Sequence, residues 1–279
     1  MEVIALLGIV AIVVAFVYAF VRKAPLSLTI SVAILVVYAL LAATSRYWGE
    51  PSRSLGYWDL VLMHPGRWNE GELYTFFTSM FVHQNLMHIG FNTGALIFIG
   101  VALEEKIGTP AFAVIFIIGG LMGTLTYYLI HYHELFILLG ASGAISAELG
   151  AYARLYPREK LTLFLPVPLP PIPAIWVAIG FLIVSSMLVF IIPNIAHEAH
   201  IGGLLTGLLI GPLAARLPSK MEEAASKLDV RALAPLAKTL ELKDVLTKIE
   251  VETVPPCRQR DKLVEKRIAR SSCSREAID

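Results

Sequence analysis

The sequence predicts an all-α polytopic membrane protein, and three observations carry that expectation. Hydrophobic residues make up 56% of the 279 and charged residues only 16%, against about 25% charged in an ordinary soluble domain. The charges are unevenly placed, with more than half of all Asp, Glu, Lys and Arg lying after residue 216. The body before that point divides into apolar stretches of about 20 residues, the length a helix needs to cross a ~30 Å hydrocarbon core.

Seven stretches fit that length: 2–21, 26–44, 81–103, 109–130, 136–156, 172–192 and 196–216. The first is read as a retained span rather than a signal peptide. Glu2 stands where a basic segment would be, no A-x-A site follows, and Arg22-Lys23 come directly after it. The expected organisation is an extra N-terminal helix (1–23), a membrane core (24–216) and a polar tail (217–279). Within the tail, 220–250 has helical periodicity, and the segment after Pro255-Pro256 is expected to be disordered.

Short-loop basic residues favour the cytoplasmic side. With seven spans, Arg22-Lys23, Lys106, Arg154, Arg158, Lys160, Arg216 and Lys220 all fall on one side. The N-terminus is then expected outside and the tail in the cytoplasm. The long loop 45–80 carries Trp48, Tyr57, Trp58, Trp68 and Tyr74 and is expected to lie on the outer surface, where aromatic rings favour the interface. A net charge of +1 argues against a nucleic-acid partner. The two cysteines, Cys257 and Cys273, make neither a zinc site nor a disulfide framework.

Polar groups inside spans are costly and therefore candidates for function. His88, Asn92, Ser142 and His200 all fall near the outer ends of their spans, at one shared depth. Ser142 lies in Gly140-Ala141-Ser142-Gly143. From Ser142 to the basic Arg154 is twelve residues, only ~18 Å of helix, so the helix is expected to start near Ser142 after an irregular descent through 135–141. A helix start offers free N–H groups and stabilises negative charge, as an acyl-transfer oxyanion requires. Gly143, Ala147 and Ala151 repeat every four residues, as do Gly203, Gly207 and Gly211 after His200. Such stripes let helices approach closely in lipid; if they face each other, Ser142 meets His200.

Plainer readings stand beside this one. A membrane serine commonly bonds a carbonyl one turn back, His200 alone could be structural, and His88 with Asn92 could tie two helices together. No strand is expected before Ser142, so the strand–turn–helix elbow of soluble hydrolases does not apply. His197-Glu198-Ala199-His200 has histidines at i and i+3, the wrong spacing for the zinc motif. Glu148 points about 240° away from Ser142 around the helix and is expected to be protonated or hydrogen-bonded to a neighbouring span.

The stretches FFTSMFVHQNLMHIGFNTGAL (76–96), ALEEKIG (102–108), GASG (140–143) and AHIGGLLTG (199–207) together resemble the rhomboid intramembrane serine proteases. The resemblance covers most of 75–211, in the family's order. It implies a six-helix rhomboid-like bundle, with Ser142 as nucleophile and His200 as general base and acid. It implies an oxyanion hole built from His88, Asn92 and the Ser142 N–H, and no cofactor or metal. Two positions depart from the pattern. The family's Trp-Arg pair falls at Tyr74-Thr75, and the aromatic often found beneath the histidine is Ser146 here.

The expected function is an intramembrane serine endopeptidase that cleaves transmembrane protein substrates near the outer membrane face. The alternative is a non-proteolytic rhomboid-like protein that binds or routes membrane clients. Relatives of that kind typically lack the serine or the histidine, and both are present here. A transporter would show inverted repeats, which the sequence does not display.

Overall fold

The structure, a computed structural model, describes residues 2–45, 50–54, 56–64, 73–162, 170–189, 191 and 195–217. The expectations for the tail after 217 lie outside these residues. Among them the fold is helical and membrane-spanning in character. Four helices are long and apolar enough to cross a bilayer: Val3–Arg22, Leu26–Ala43, Leu86–Ile107 and Thr109–Ile130.

Helix α1 (Val3–Arg22) stops where Lys23 turns left-handed at φ 53°, followed two residues later by Pro25, which cannot continue a helix. Its outer side carries exposed apolar residues such as Val13 and Val17, and it packs on α2 (Leu26–Ala43). The first turn of α2 is held from another span. The Glu104 carboxylate accepts from the N–H groups of Leu26 and Ser27 at 2.7 and 2.8 Å. It also accepts from the hydroxyls of Ser27 and Thr109, at 2.7 and 2.8 Å. A buried carboxylate with four donors supplies the partners a helix N-terminus otherwise lacks. This gives the ALEEKIG stretch a structural task.

The described parts of 45–80 are short pieces: a 3₁₀ turn at Pro51–Arg53, α3 (Tyr57–Leu60), β1 (Leu62–His64) and α4 (Thr75–Thr78). Trp58 is exposed as expected, but Tyr57 is buried. Trp48 and Trp68 lie outside the described residues.

The span expected over 81–103 is displaced. A 3₁₀ turn ends at Phe81, and no helix resumes until after Asn85, whose side chain caps the next one by accepting from the N–H of His88 at 2.9 Å. The helix then runs as α5 (Leu86–Ala95), a π-helical segment (Leu96–Gly100) and α6 (Val101–Ile107). Gly108, at φ 80°, stops it, and α7 (Thr109–Ile130) follows with Pro110 in its first turn.

The expected helix 136–156 divides as the span-length argument requires. Residues Phe136–Leu138 form β2, paired antiparallel with β1 so that Leu62 faces Leu138. The helix α8 (Ser142–Leu155) begins at the serine. A three-residue strand therefore does precede Ser142, contrary to expectation, because the descending loop finds its backbone partners on β1. A second two-residue ladder joins β3 (Lys160–Leu161) to β4 (Ile172–Pro173). Two helices complete the bundle, α9 (Ala174–Leu188) and α10 (His197–Ala214).

Helix α8 is the centre of the bundle. Every residue from Gly143 to Ala153 is buried, with α7 and α10 packed against it. A Cβ on Gly203 would land on the Gly143 carbonyl, and one on Gly207 would land on that of Ala147. The two small-residue stripes thus do face each other, backbone to backbone. Glu148 sits in this helix, fully buried, and among the described residues neither carboxylate oxygen has a hydrogen-bond partner. Its expected tie to a neighbouring span is not made. Gly100 of the third span lies beside it: a Cβ there would stand 3.1 Å from Oε2.

Candidate active site

Ser142 is the first residue of α8, and the first hydrogen bond into that turn runs from the Ile145 N–H to the Ala141 carbonyl. The N–H groups ahead of Ile145 therefore have no carbonyl of α8 to use. Gly140 sets this start. Its φ of 108° is open to glycine and poorly open to other residues, and its N–H donates to the Ser79 carbonyl at 2.9 Å.

The stripe contact between α8 and α10 brings together residues 58 positions apart: Ser142 Oγ and His200 Nε2 are 2.8 Å apart. This is within hydrogen-bond reach for a hydroxyl and an imidazole. Among the described residues no side chain hydrogen-bonds the other ring nitrogen of His200. Its ring is flanked by His197, edge-on at 5.8 Å, and by Phe181 of α9, also at 5.8 Å and tilted by 40°.

His88 and Asn92 lie one turn apart on α5, as the sequence predicts. The His88 ring reaches over Gly140, where an added Cβ would stand 2.7 Å from Nε2. It also packs against the ring of His83 at 4.8 Å. Asn92 is buried, and its Nδ2 donates to the His88 carbonyl at 2.9 Å. One of its two amide hydrogens is thus committed to its own helix.

Ser146 makes the bond expected of an ordinary membrane serine, donating to the carbonyl of Ser142 at 2.7 Å. Ser142 itself does not. Glu198 turns away from His200 and meets His131, whose Nε2 lies 3.3 Å from its Oε1. The other nitrogen of His131 lies 2.8 Å from Glu134. Burial alone would lower the basicity of His131, but the two carboxylates outweigh it and leave its pKa raised.

Between α5 and α9 lies an apolar cleft of about 840 Å³, backed by Ser146 and Leu149 of α8. Met87 and Phe91 on one wall and Trp176 on the other are each more than half exposed, so the cleft reaches the lipid-facing surface. Two of the features around the site were not legible as such in the sequence. Phe181 is one apolar residue among many in its span, and His83 lies outside any helix. The histidine spacing of HQNLMH was the only available signal for the latter.

Comparison with known proteins places this geometry in context. The Rhomboid domain model matches residues 70–217. RHOMBOID-like protein 1 of Arabidopsis thaliana is 32% identical over 140 residues, 50% of this chain and 34% of that protein. Rhomboid protease GluP of Bacillus subtilis (strain 168) is 29% identical over 138 residues, 50% of this chain and 25% of that protein. Inactive RHOMBOID-like protein 8 of Arabidopsis thaliana is 32% identical over 141 residues, 48% of this chain and 36% of that protein. The chain thus spans between a quarter and less than half of the length of these relatives.

Proposed function

We propose that this chain, which belongs to the rhomboid family, is an intramembrane serine endopeptidase acting on transmembrane protein substrates. The observation that carries the reading is the 2.8 Å approach of Ser142 Oγ to His200 Nε2 at the start of a buried helix. The family includes both proteases and relatives named inactive; this chain retains both members of the pair.

In the proposed reaction His200 Nε2 accepts the hydroxyl proton as Ser142 Oγ attacks the scissile carbonyl carbon. The carbonyl π electrons move onto its oxygen. The N–H of Ser142, the His88 ring and the second amide hydrogen of Asn92 are the proposed donors to that oxyanion. When it collapses, the C–N bond breaks, and His200 returns the proton to the leaving nitrogen. Water then attacks the acyl-serine, giving its proton to His200. The acyl–oxygen bond breaks and the proton goes back to Ser142. No cofactor or metal is needed to balance either half.

The apolar cleft beside Ser146 is the proposed berth for the substrate's own membrane helix. Apolar walls match an apolar guest, while a cleavable bond needs water, which the polar residues at the outer end can hold. The test is cleavage of a generic transmembrane substrate in liposomes, together with labelling by a fluorophosphonate, for wild type and Ser142→Ala. Cleavage and labelling of wild type alone support the reading. A wild type as inert as the mutant supports the non-proteolytic alternative.

A further inference from the structure

The catalytic base of a soluble serine protease is held in place by a third group, usually a carboxylate, on its second ring nitrogen. Among the described residues His200 has no such partner, so packing must set the plane of its ring. The position one turn after Ser142, where an aromatic could lie under the imidazole, holds Ser146, and its hydroxyl is turned back onto the Ser142 carbonyl. The aromatic contact to His200 comes from a different helix. Phe181 of α9 lies against His200 with ring centres 5.8 Å apart and planes tilted by 40°, inside the range of favourable aromatic pairs.

Phe181 has a second face. It lines the cleft between α5 and α9, as Ser146 does. The ring is partly buried and packs against the hydrophobic core of the bundle, while Trp176, Ile183 and Met187 of the same helix are exposed. One side chain therefore touches both the base and the space proposed for the substrate helix.

We propose that Phe181 is the positioning residue for His200, holding its ring so that Nε2 faces Ser142, and that it does so from the wall of the substrate cleft. An occupant of the cleft packs against the ring from the other side and steadies the base. An empty cleft leaves His200 less well held. This rests on the protease reading above, and it adds a link between cleft occupancy and the base.

The test uses the full chain in liposomes and four variants: Phe181→Ala, Phe181→Leu, Phe181→Tyr, and Phe181→Ala combined with Ser146→Phe. Three quantities are measured: kcat and KM on a transmembrane substrate, the rate of fluorophosphonate labelling without substrate, and thermal stability. Misplacing a reacting group by about 1 Å can cost up to about 10²-fold. Phe181→Ala is expected to lose roughly that in kcat and to label more slowly, with KM little changed. Phe181→Tyr is expected to keep most activity, and Phe181→Leu, which restores bulk without a flat face, to remain impaired. An aromatic at 146 is expected to restore rate in the Phe181→Ala background. Three results would overturn the proposal: unchanged labelling with a raised KM, which makes Phe181 a cleft wall only; full activity of Phe181→Leu; or a rate loss matched by unfolding alone. A wild type that labels no better than Ser142→Ala would remove the protease reading, and this proposal with it.

Discussion

A Cβ placed on Gly140 would come within 2.7 Å of the Nε2 of His88. The backbone just ahead of Ser142 and the imidazole on α5 are thus in contact, and glycine is required twice: for its φ of 108° and for its missing side chain. Gly140→Ala is expected to displace either the helix start or the His88 ring. On the proposed mechanism, losing one oxyanion donor costs about 10²–10³ in kcat. Kinetics of the folded fraction check this. Wild-type kcat in Gly140→Ala would mean that His88 takes no part.

Asn92→Ala separates a donor from a strut. If the free amide hydrogen serves the oxyanion, kcat falls by roughly 10²–10³ with little change in KM, and fluorophosphonate still reacts, more slowly. If Asn92 only braces α5 through the His88 carbonyl, thermal stability falls and kcat of the folded fraction survives. Both are measurable on one preparation.

The two histidines of His197-Glu198-Ala199-His200 are expected to behave differently. His200→Ala removes the group 2.8 Å from Ser142 Oγ and is expected to abolish cleavage in a folded protein. His197 lies edge-on to the His200 ring at 5.8 Å, whereas His200 Nε2 is the nitrogen that faces Ser142, so His197→Ala is expected to retain most activity. An exchange of the two outcomes would show that the base is misassigned.

The two buried glutamates are expected to respond differently. Glu104 satisfies four donors at 2.7–2.8 Å, so Glu104→Ala strands them and destabilises by roughly 3 kcal/mol or more. Glu148 is fully buried with no hydrogen-bond partner among the described residues. Replacing it with Leu, of similar volume, is expected to be neutral or stabilising. Thermal unfolding in one detergent reads both; a large loss in Glu148→Leu would show that its carboxyl has a task.

His131 joins the loop after α7 to Glu198 in the first turn of α10. Its pKa is raised by its two carboxylates, so the folded state holds the proton more tightly than the unfolded chain. That stabilisation is full below the ordinary histidine value near 6.5 and is lost as pH rises through the higher folded value. Melting temperature against pH is expected to decline across that window in wild type. His131→Gln is expected to flatten the decline; an unchanged slope in the variant would assign it to another group.

Some of this architecture was determined by the sequence alone. Apolar runs of membrane length fixed α1, α2 and α7 nearly to the residue, because crossing a bilayer constrains composition along the chain itself. The distance from Ser142 to Arg154 was too short for a full span, and that fixed the helix start at the serine. The paired small-residue stripes foretold the contact of α8 with α10, since only small side chains permit that approach. The third span starts later than hydropathy predicts, because hydropathy does not register that 82–85 lies outside any helix or that Asn85 caps the next turn. Tertiary structure alone decided where the carboxylates and rings go. Glu104 reaches a helix N-terminus 78 residues away, Glu148 has no hydrogen-bond partner among the described residues, and the ring of Phe181 lies against His200. These depend on which helix faces which, at what rotation and depth. Periodicity along one strand of sequence carries the face of a helix, and carries nothing of the neighbour that face will meet.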